Sequence, residues 1–227
     1  DAGAKYLNVN IGARALTDTG FMARVIGAIQ EVVTVPLSFD FPAKNVQEVC
    51  LKSYDRARAG GAPPLVNSIT EHRWDLMDLH APLGPFKVIL MASERVEDGI
   101  AKGNKTADEI YQTARRGTLR LVNDHGMKPD DIFIDMSVSA IIADTTGLNR
   151  GTLDAIAMIG ADPDLAGVHM MGGLSNIGPQ LPAKAADGSD LKHQLECAFL
   201  TIAVPNGFDT VLGTPWRGYH RLPEDNY

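Results

Sequence analysis

Side chains that can bind a flat polar ring follow five apolar runs of the sequence. Each run ends in an amide or a carboxylate, and these residues are Asn10, Asp40, Asn67, Asp135 and Asn176. Amides and carboxylates form hydrogen bonds in a plane, so a carboxylate can accept two parallel N–H bonds from an aminopyrimidine-like edge. The set therefore predicts a site for a flat, polar heterocycle without a protein nucleophile.

The sequence lacks the usual signatures of nucleophilic, metal-dependent and dinucleotide-dependent catalysis. There is no Ser-His-Asp order, no metal-spaced histidine cluster and no GxGxxG after a strand. The two cysteines, Cys50 and Cys197, have no metal-binding spacing, and both are predicted to be buried and structural. His169 lies within an apolar run, and we expect it to make hydrogen bonds inside the fold rather than to bind a ligand.

An apolar run that stops at two glycines precedes the last of the polar side chains. In the stretch MMGGLSNIGPQLP, residues 170–182, Gly172 and Gly173 are followed by Ser175 and Asn176. A glycine lets the backbone approach a ligand closely. Two adjacent glycines also suit a tight bend, so the pattern alone leaves both interpretations open.

Each of these polar residues also has an ordinary structural role available. A single Asp after a strand is often a helix N-cap or a turn residue, and for Asp40 capping of the next helix is as well supported as function. Asn8, in the first strand, is expected to make a hydrogen bond within the fold. The recurrence at five strand ends favours function, since capping alone does not select Asn-Ser or Ser-Asn pairs there.

Strand-like and helix-like runs alternate along the chain. Strands are predicted at 5–10, 35–40, 64–68, 87–91, 132–136, 167–173 and 208–213, and helices at 17–33, 42–61, 106–126, near 151–160 and near 189–204. Thr106 and Glu109 form a capping box at the clearest helix. The stretch 92–105 is long and charged and is predicted to be an exposed loop. Apolar strands joined by crossover-length segments indicate a parallel sheet covered on both faces.

Both a doubly wound sheet and a TIM barrel fit this alternation. A barrel needs eight strand–helix units, so the first unit would lie before Asp1 and the eighth helix after Tyr227. We predict an α/β fold, a TIM (β/α)8 barrel formed by residues 1–227 as a single domain, with the first strand–helix unit and the last helix missing. The carboxyl ends of its strands would share one rim, and the five polar side chains would meet there.

Composition and charge exclude several other classes. The chain has 227 residues and a net charge of −7, without a cluster of Lys and Arg, which argues against nucleic acid as a partner. The hydrophobic share of 44% and the charged share of 22% are ordinary for a globular protein. No apolar run approaches about 18 residues and no secretory signal is visible, so no membrane span is expected and a cytoplasmic location fits.

The motifs LNVNIG, PLSFD, LVNS, IFID and GGLSN, in this order and spacing, resemble those of the pterin-binding methyltransferases. Within that superfamily, which includes dihydropteroate synthase, the chain is most similar to the methyltetrahydrofolate:corrinoid protein methyltransferases. The resemblance runs from Tyr6 to about Gly213. It implies transfer of a methyl group between 5-methyltetrahydrofolate and the cobalt of cobalamin, supplied by a partner corrinoid protein. It also implies a homodimer.

The resemblance assigns roles to residues of this sequence. Positions that match substrate-binding residues of the family, or in the case of Asn10 lie at the same rim, are Asn10, Asp40, Asn67, Asp135, Gly173, Ser175 and Asn176. Asn176 matches a mobile Asn that hydrogen-bonds near the methyl-bearing nitrogen of tetrahydrofolate. Catalysis is therefore expected from Asn176, with Asp135 in the proton network, and no metal-binding residue is predicted.

Three alternatives remain beside this interpretation. Dihydropteroate synthase has a Ser-Arg-Lys signature near the seventh strand, where this chain reads GLSNIG. A TIM-barrel metal enzyme would use Asp40, Asp135 and His169 as ligands. A folate-binding protein without activity is the third. The chain also departs from the resemblance at Asn8, where corrinoid methyltransferases commonly have Asp.

Overall fold

The fold of this chain is α/β, with helices alternating with parallel strands as in a TIM barrel. The structure, a computed structural model, describes residues 3–223; residues 1–2 and 224–227 lie outside it. The chain forms two compact units, Gly3–Leu90 and a second one that begins at Met91. No helix in the described part is long and apolar enough to cross a lipid bilayer.

The first unit contains four parallel strands that pair in chain order. Its strands are β1 (Leu7–Val9), β2 (Leu37–Asp40), β3 (Leu65–Ile69) and β4 (Lys87–Met91). Its helices are α1 (Arg14–Thr17), α2 (Thr19–Val32), α3 (Lys44–Ser53) and α4 (His80–Leu83). β1 pairs with β2, β2 with β3, and β3 with β4. The four strands predicted in this region are confirmed.

Helix α3 is shorter than the prediction of 42–61. It ends at Ser53, and Tyr54 continues in an extended conformation. The ring of Tyr54 packs edge-on against Phe39, with centroids 6.0 Å apart, and its hydroxyl donates to the carbonyl oxygen of Ala62 at 3.0 Å. These contacts turn the chain into the core, so the basic residues that follow lie in a turn.

A buried amide side chain holds the carboxyl ends of β2 and β3. Gln47, on α3, is fully buried. Its Nε2 atom lies 2.8 Å from the carbonyl oxygen of Phe39, 2.8 Å from that of Phe41 and 3.2 Å from that of Asn67. Buried backbone carbonyls need a hydrogen-bond donor. Gln47 supplies one to two neighbouring strands and so fixes the backbone on both sides of Asp40.

We predict that Gln47→Leu lowers the free energy of unfolding by about 1–3 kcal/mol, because the change leaves buried carbonyl groups without this donor. Urea denaturation at equilibrium measures the difference from the wild-type protein. Gln112→Leu is the matched control, since Gln112 is an exposed helical glutamine. Equal losses in the two variants would contradict the role assigned to Gln47.

The second unit contains three parallel strands and an antiparallel hairpin. Its strands are β5 (Glu94–Glu97), β6 (Ile100–Gly103), β7 (Ile132–Asp135), β8 (His169–Gly173) and β9 (Phe208–Leu212). Its helices are α5 (Ala107–His125), α6 (Leu148–Ala161) and α7 (Leu191–Ala203). β7 pairs with β8 and β8 with β9, all parallel. The three strands predicted here from 132 onward are therefore confirmed.

The stretch 92–105 is a hairpin rather than the exposed loop predicted from its charge. β5 and β6 pair antiparallel through a turn at Asp98 and Gly99, whose φ angles are 54° and 76°. Asp-Gly is a favoured pair where both central residues of a hairpin turn need positive φ. The dipeptide was a readable signal in the sequence, and the high charge of the flanking strands obscured it.

The capping box predicted at the start of α5 is confirmed. The hydroxyl of Thr106 accepts from the N–H of Glu109 at 3.2 Å, and the Glu109 carboxylate accepts from the N–H of Thr106 at 3.2 Å. The same carboxylate accepts from the N–H of Lys105 and pairs with Arg95 of the hairpin at 2.9 Å. The bond from Lys105 is the largest cause that holds the pKa of Glu109 below its usual range.

Candidate functional site

The first polar cluster comprises Asn8, Asn10, Asp40 and Asn67, all in the first unit. Asp40 is the last residue of β2, and its Oδ2 accepts from the side-chain amides of Asn8 at 3.3 Å and Asn10 at 3.2 Å. Asn10 follows β1, and its own Oδ1 accepts from the N–H of Gly12 at 2.8 Å. Two amides from the neighbouring strand thus orient the carboxylate, and the expected hydrogen bond of Asn8 is confirmed.

Asp40 does not cap the helix that follows it. The N-cap residue of α3 is Ala43, which offers no side-chain hydrogen bond. Asp40 is instead the register partner of Asn67, so both side chains leave the same face of the sheet. Among residues 3–223 the side chain of Asn67 makes no hydrogen bond. The pair can therefore offer an acceptor carboxylate beside a free amide.

Strand β3 continues one residue past the predicted range of 64–68, so Asn67 lies within the strand rather than at its end. It runs to Ile69, and Asn67 is its half-buried third residue. The backbone carbonyl of Asn67 is engaged by Gln47, as described for the fold. Gln47 thus holds the backbone that carries the Asn67 side chain.

The second polar cluster comprises Asp135, Gly173, Ser175 and Asn176, all in the second unit. Asp135 is the last residue of β7, and its Oδ1 accepts from the N–H of Ser137 at 2.8 Å. This short turn orients the carboxylate at the strand end. Asp135 is the register partner of Met171 on β8, two residues before the end of that strand at Gly173.

Ser175 and Asn176 lie in a single 3-10 turn, Leu174–Ile177, directly after β8. Both side chains are exposed. The Asn176 amide makes no hydrogen bond within residues 3–223. Strand β8 thus ends at Gly173, three residues earlier than Asn176, and the turn presents an exposed neutral amide.

The two glycines at the end of β8 have different surroundings. A Cβ atom at Gly172 would lie 2.8 Å from Cγ2 of Val138 and 3.5 Å from the ring of Phe208. A Cβ atom at Gly173 would instead lie 3.2 Å from Nδ2 of Asn176. Gly172 is therefore required by core packing, whereas Gly173 leaves room for the Asn176 side chain.

We predict that Gly172→Ala lowers the free energy of unfolding by about 1–3 kcal/mol, because its methyl group overpacks the core. Gly173→Ala serves as the matched comparison and should cost much less, since only the exposed Asn176 side chain has to move. Thermal unfolding of both variants measures the difference. A Gly173→Ala variant as unstable as Gly172→Ala would contradict this distinction.

His169 lies at the opposite end of β8 from Gly173 and is satisfied by protein partners. Its Nδ1 lies 2.7 Å from Asp209 and its Nε2 3.3 Å from Asp130, and its ring stacks on Phe133 with centroids 4.6 Å apart. The expectation that His169 makes hydrogen bonds within the fold is therefore confirmed. Both ring nitrogens already face carboxylates, which weighs against His169 as a metal ligand beside Asp135.

One buried residue and one group of potential metal ligands were not identified from the sequence. Gln47 holds the backbone beside Asp40, and nothing in its local sequence indicated this. The second is a group made by His193, Cys197 and His220, whose potential ligand atoms lie within 4.8 Å of one another. The His-x-x-x-Cys spacing on α7 was a readable signal, because residues four apart share a helix face.

Both cysteines are buried, as predicted. Burial raises the pKa of the Cys50 thiol to about 12. Since the thiolate is the reactive form of cysteine, Cys50 remains an inert structural residue at neutral pH.

The family model described as pterin binding enzyme matches residues 8–212, a range that includes every residue of both polar clusters. The chain belongs to this family. The pterin-binding superfamily expected from the strand-end motifs is thereby confirmed. None of the curated proteins compared with the chain matches it.

Solved structures of dihydropteroate synthases share the fold of this pterin-binding chain. The enzyme of Xanthomonas albilineans in complex with 7,8-dihydropteroate is 16% identical, with a TM-score of 0.62 over 93% of this chain and 74% of that one. The enzyme of Thermus thermophilus in complex with 6HMPPP is 19% identical, with a TM-score of 0.58 over 96% of this chain and 80% of that one. At these identities the likeness concerns the fold alone.

Proposed function

We propose that this pterin-binding enzyme transfers a methyl group between 5-methyltetrahydrofolate and the cobalt of a cobalamin carried by a corrinoid protein. The observation that carries the proposal is the turn after β8. There an exposed amide, Asn176, follows Gly173, and residues 174–178 include no Arg or Lys. A neutral amide suits a reaction at a ring nitrogen, whereas a diphosphate substrate calls for a cation.

Substrate binding is assigned to both polar clusters. The proposed substrate-binding residues are Asn10, Asp40, Asn67, Asp135, Gly173, Ser175 and Asn176. In the first cluster, the Asp40 carboxylate would accept N–H bonds from the aminopyrimidine edge of the pterin, and the Asn67 amide would match the adjacent donor–acceptor pair. In the second, Gly173 would let the ring approach the backbone.

Catalysis is assigned to Asn176 and Asp135. A tertiary amine is a poor leaving group, so the methyl-bearing nitrogen of the pterin must be protonated before its bond to the methyl carbon breaks. The carbonyl oxygen of Asn176 would accept a hydrogen bond from that N–H and stabilise its charge, and Asp135 would pass the proton through ordered water. The partner's cobalamin would supply the nucleophile that takes the methyl group, and the pterin nitrogen would keep the electron pair of the broken bond.

The corrinoid protein is the proposed macromolecular partner. A cytoplasmic location and a homodimer are the further expectations that the resemblance to corrinoid methyltransferases carries. Tetrahydrofolate, in its methylated and free forms, is the small-molecule substrate in either direction of transfer.

We predict that Asn176→Ala lowers the rate of methyl transfer by about 10²–10³-fold, the usual effect of losing a hydrogen bond made to charge in the transition state. Binding of 5-methyltetrahydrofolate should change far less. The rate is followed by the absorbance of free cobalamin, and binding by titration. Asn123→Ala, at an exposed asparagine of α5, is the control. Transfer at the wild-type rate in Asn176→Ala would overturn the catalytic role.

We predict that Asp40→Asn weakens binding of 5-methyltetrahydrofolate by about tenfold to hundredfold, because hydrogen bonds to a charged acceptor are replaced by weaker ones. Isothermal titration calorimetry measures the dissociation constant. The matched control is Asp124→Asn, which removes an exposed carboxylate on α5. Unchanged affinity in Asp40→Asn would remove the first cluster from the site.

Dihydropteroate synthase is the second candidate, favoured by the fold shared with the solved synthases. That reaction joins a pterin diphosphate to aminobenzoate and requires cations for the diphosphate. The cations that follow β8 in the chain include Arg217 and Lys184. Arg217 lies 3.5 Å from Asp190, and the backbone of Lys184 forms a bridge with that of Asp190. Condensation without methyl transfer would establish this candidate. Tight folate binding without either reaction would indicate a non-catalytic binding protein.

A further inference from the structure

Three potential metal ligands meet between α7 and the segment that follows β9. Sγ of Cys197 lies 3.6 Å from Nε2 of His193 and 3.7 Å from Nδ1 of His220. Cys197 is buried, His193 is partly buried and His220 is exposed. Cys and His are the ligands that zinc prefers in proteins. We infer that His193, Cys197 and His220 form a site for a divalent transition metal ion of the zinc type.

The distances around Cys197 fit a tetrahedral ion. With usual zinc–sulfur and zinc–nitrogen bond lengths, the sulfur and nitrogen ligands of a tetrahedral site are about 3.6 Å apart. Both sulfur–nitrogen distances have this value within 0.1 Å. The two nitrogens would have to approach to about 3.4 Å. The three ligand atoms already lie within 4.8 Å of one another, and the exposed His220 ring has the space to adjust.

A simple hydrogen bond explains the cluster less well. The Cys197 thiol has one proton and can donate it to only one of the two imidazoles. Nδ1 of His220 also lies 3.1 Å from the carbonyl oxygen of Gly218, which it contacts as a donor when protonated. Metal binding would replace that proton, and the cation would then satisfy the sulfur and both nitrogens together.

An outer partner for the first histidine is present. Nδ1 of His193 is buried and has no hydrogen-bond partner within residues 3–223. It lies 3.9 Å from Oε2 of the buried Glu196, which pairs with Arg217 at 3.4 Å. Metal-binding histidines usually direct their second ring nitrogen at a carboxylate. Glu196 can take this place and adds a negative charge beside the cation.

The segment that carries His220 contacts α7 both before and after His220. Before His220, Arg217 contacts Glu196. After it, the N–H of Leu222 donates to Oγ1 of Thr201 at 2.8 Å, one helical turn beyond Cys197. These contacts hold His220 opposite Cys197. The site has three protein ligands and leaves a fourth position for water or a small anionic ligand.

The test removes metal from the protein with a chelator, adds zinc back, separates unbound zinc by gel filtration and measures the bound zinc by elemental analysis. We expect about one zinc ion per chain, as in other sites with three protein ligands. A cobalt(II)-loaded sample should show a sulfur-to-cobalt charge-transfer band in the near ultraviolet. Cys197→Ser should abolish the band. His220→Ala should weaken zinc affinity at least about tenfold, because losing only an outer hydrogen-bond partner of a metal ligand already has an effect of this size.

The controls are Cys50→Ala and His72→Ala, which remove the other thiol and an exposed histidine of the first unit. Both should bind zinc like the wild-type protein. His220→Ala changes an exposed residue, so it keeps the inference testable if Cys197→Ser fails to fold. Wild-type protein without bound zinc, or His220→Ala with wild-type affinity, would overturn the site. The result is independent of pterin binding and of methyl transfer.

Discussion

The buried amide of Gln47 is the constraint on which the first polar cluster depends. A carboxylate and an amide can read one edge of a ring only if their strands end in a fixed relation. In this chain Gln47 of helix α3 fixes that relation, because its side chain donates to backbone carbonyls of both β2 and β3. The backbone beside the proposed binding side chains is thereby held without their help, and the amide of Asn67 would remain available for a ligand.

Much of the fold could be read from the sequence because its signals are local. Apolar runs of strand length, the capping box at Thr106 and Glu109, and the recurring strand-end amides depend on neighbours in the chain. The failures have causes that lie farther away. Helix α3 stops at Ser53 because Tyr54 packs on Phe39 of another element, and no pattern within α3 records that contact.

The same distinction between local signals and distant contacts applies to the candidate site. Residue types at strand ends identified the polar clusters, and the family match includes all of them. The sequence did not reveal whether a given residue faces a ligand site or packs in the core. Gly172 and Gly173 are adjacent and identical, and they differ only through Val138, Phe208 and Asn176, the residues they face. His220 meets Cys197 only because the chain doubles back after β9.

The two amides that bind Asp40 bear on selectivity. Since Oδ2 accepts from Asn8 and Asn10, the carboxylate is held in one orientation, and its other oxygen, Oδ1, is left to accept an N–H from a ligand. A molecule that instead presents a lone pair meets a repelling oxygen held rigidly in place, because the carboxylate cannot swing aside without abandoning both neighbours. The first cluster would thus bind ring tautomers that present an N–H to Oδ1 and exclude tautomers whose hydrogens lie on other atoms.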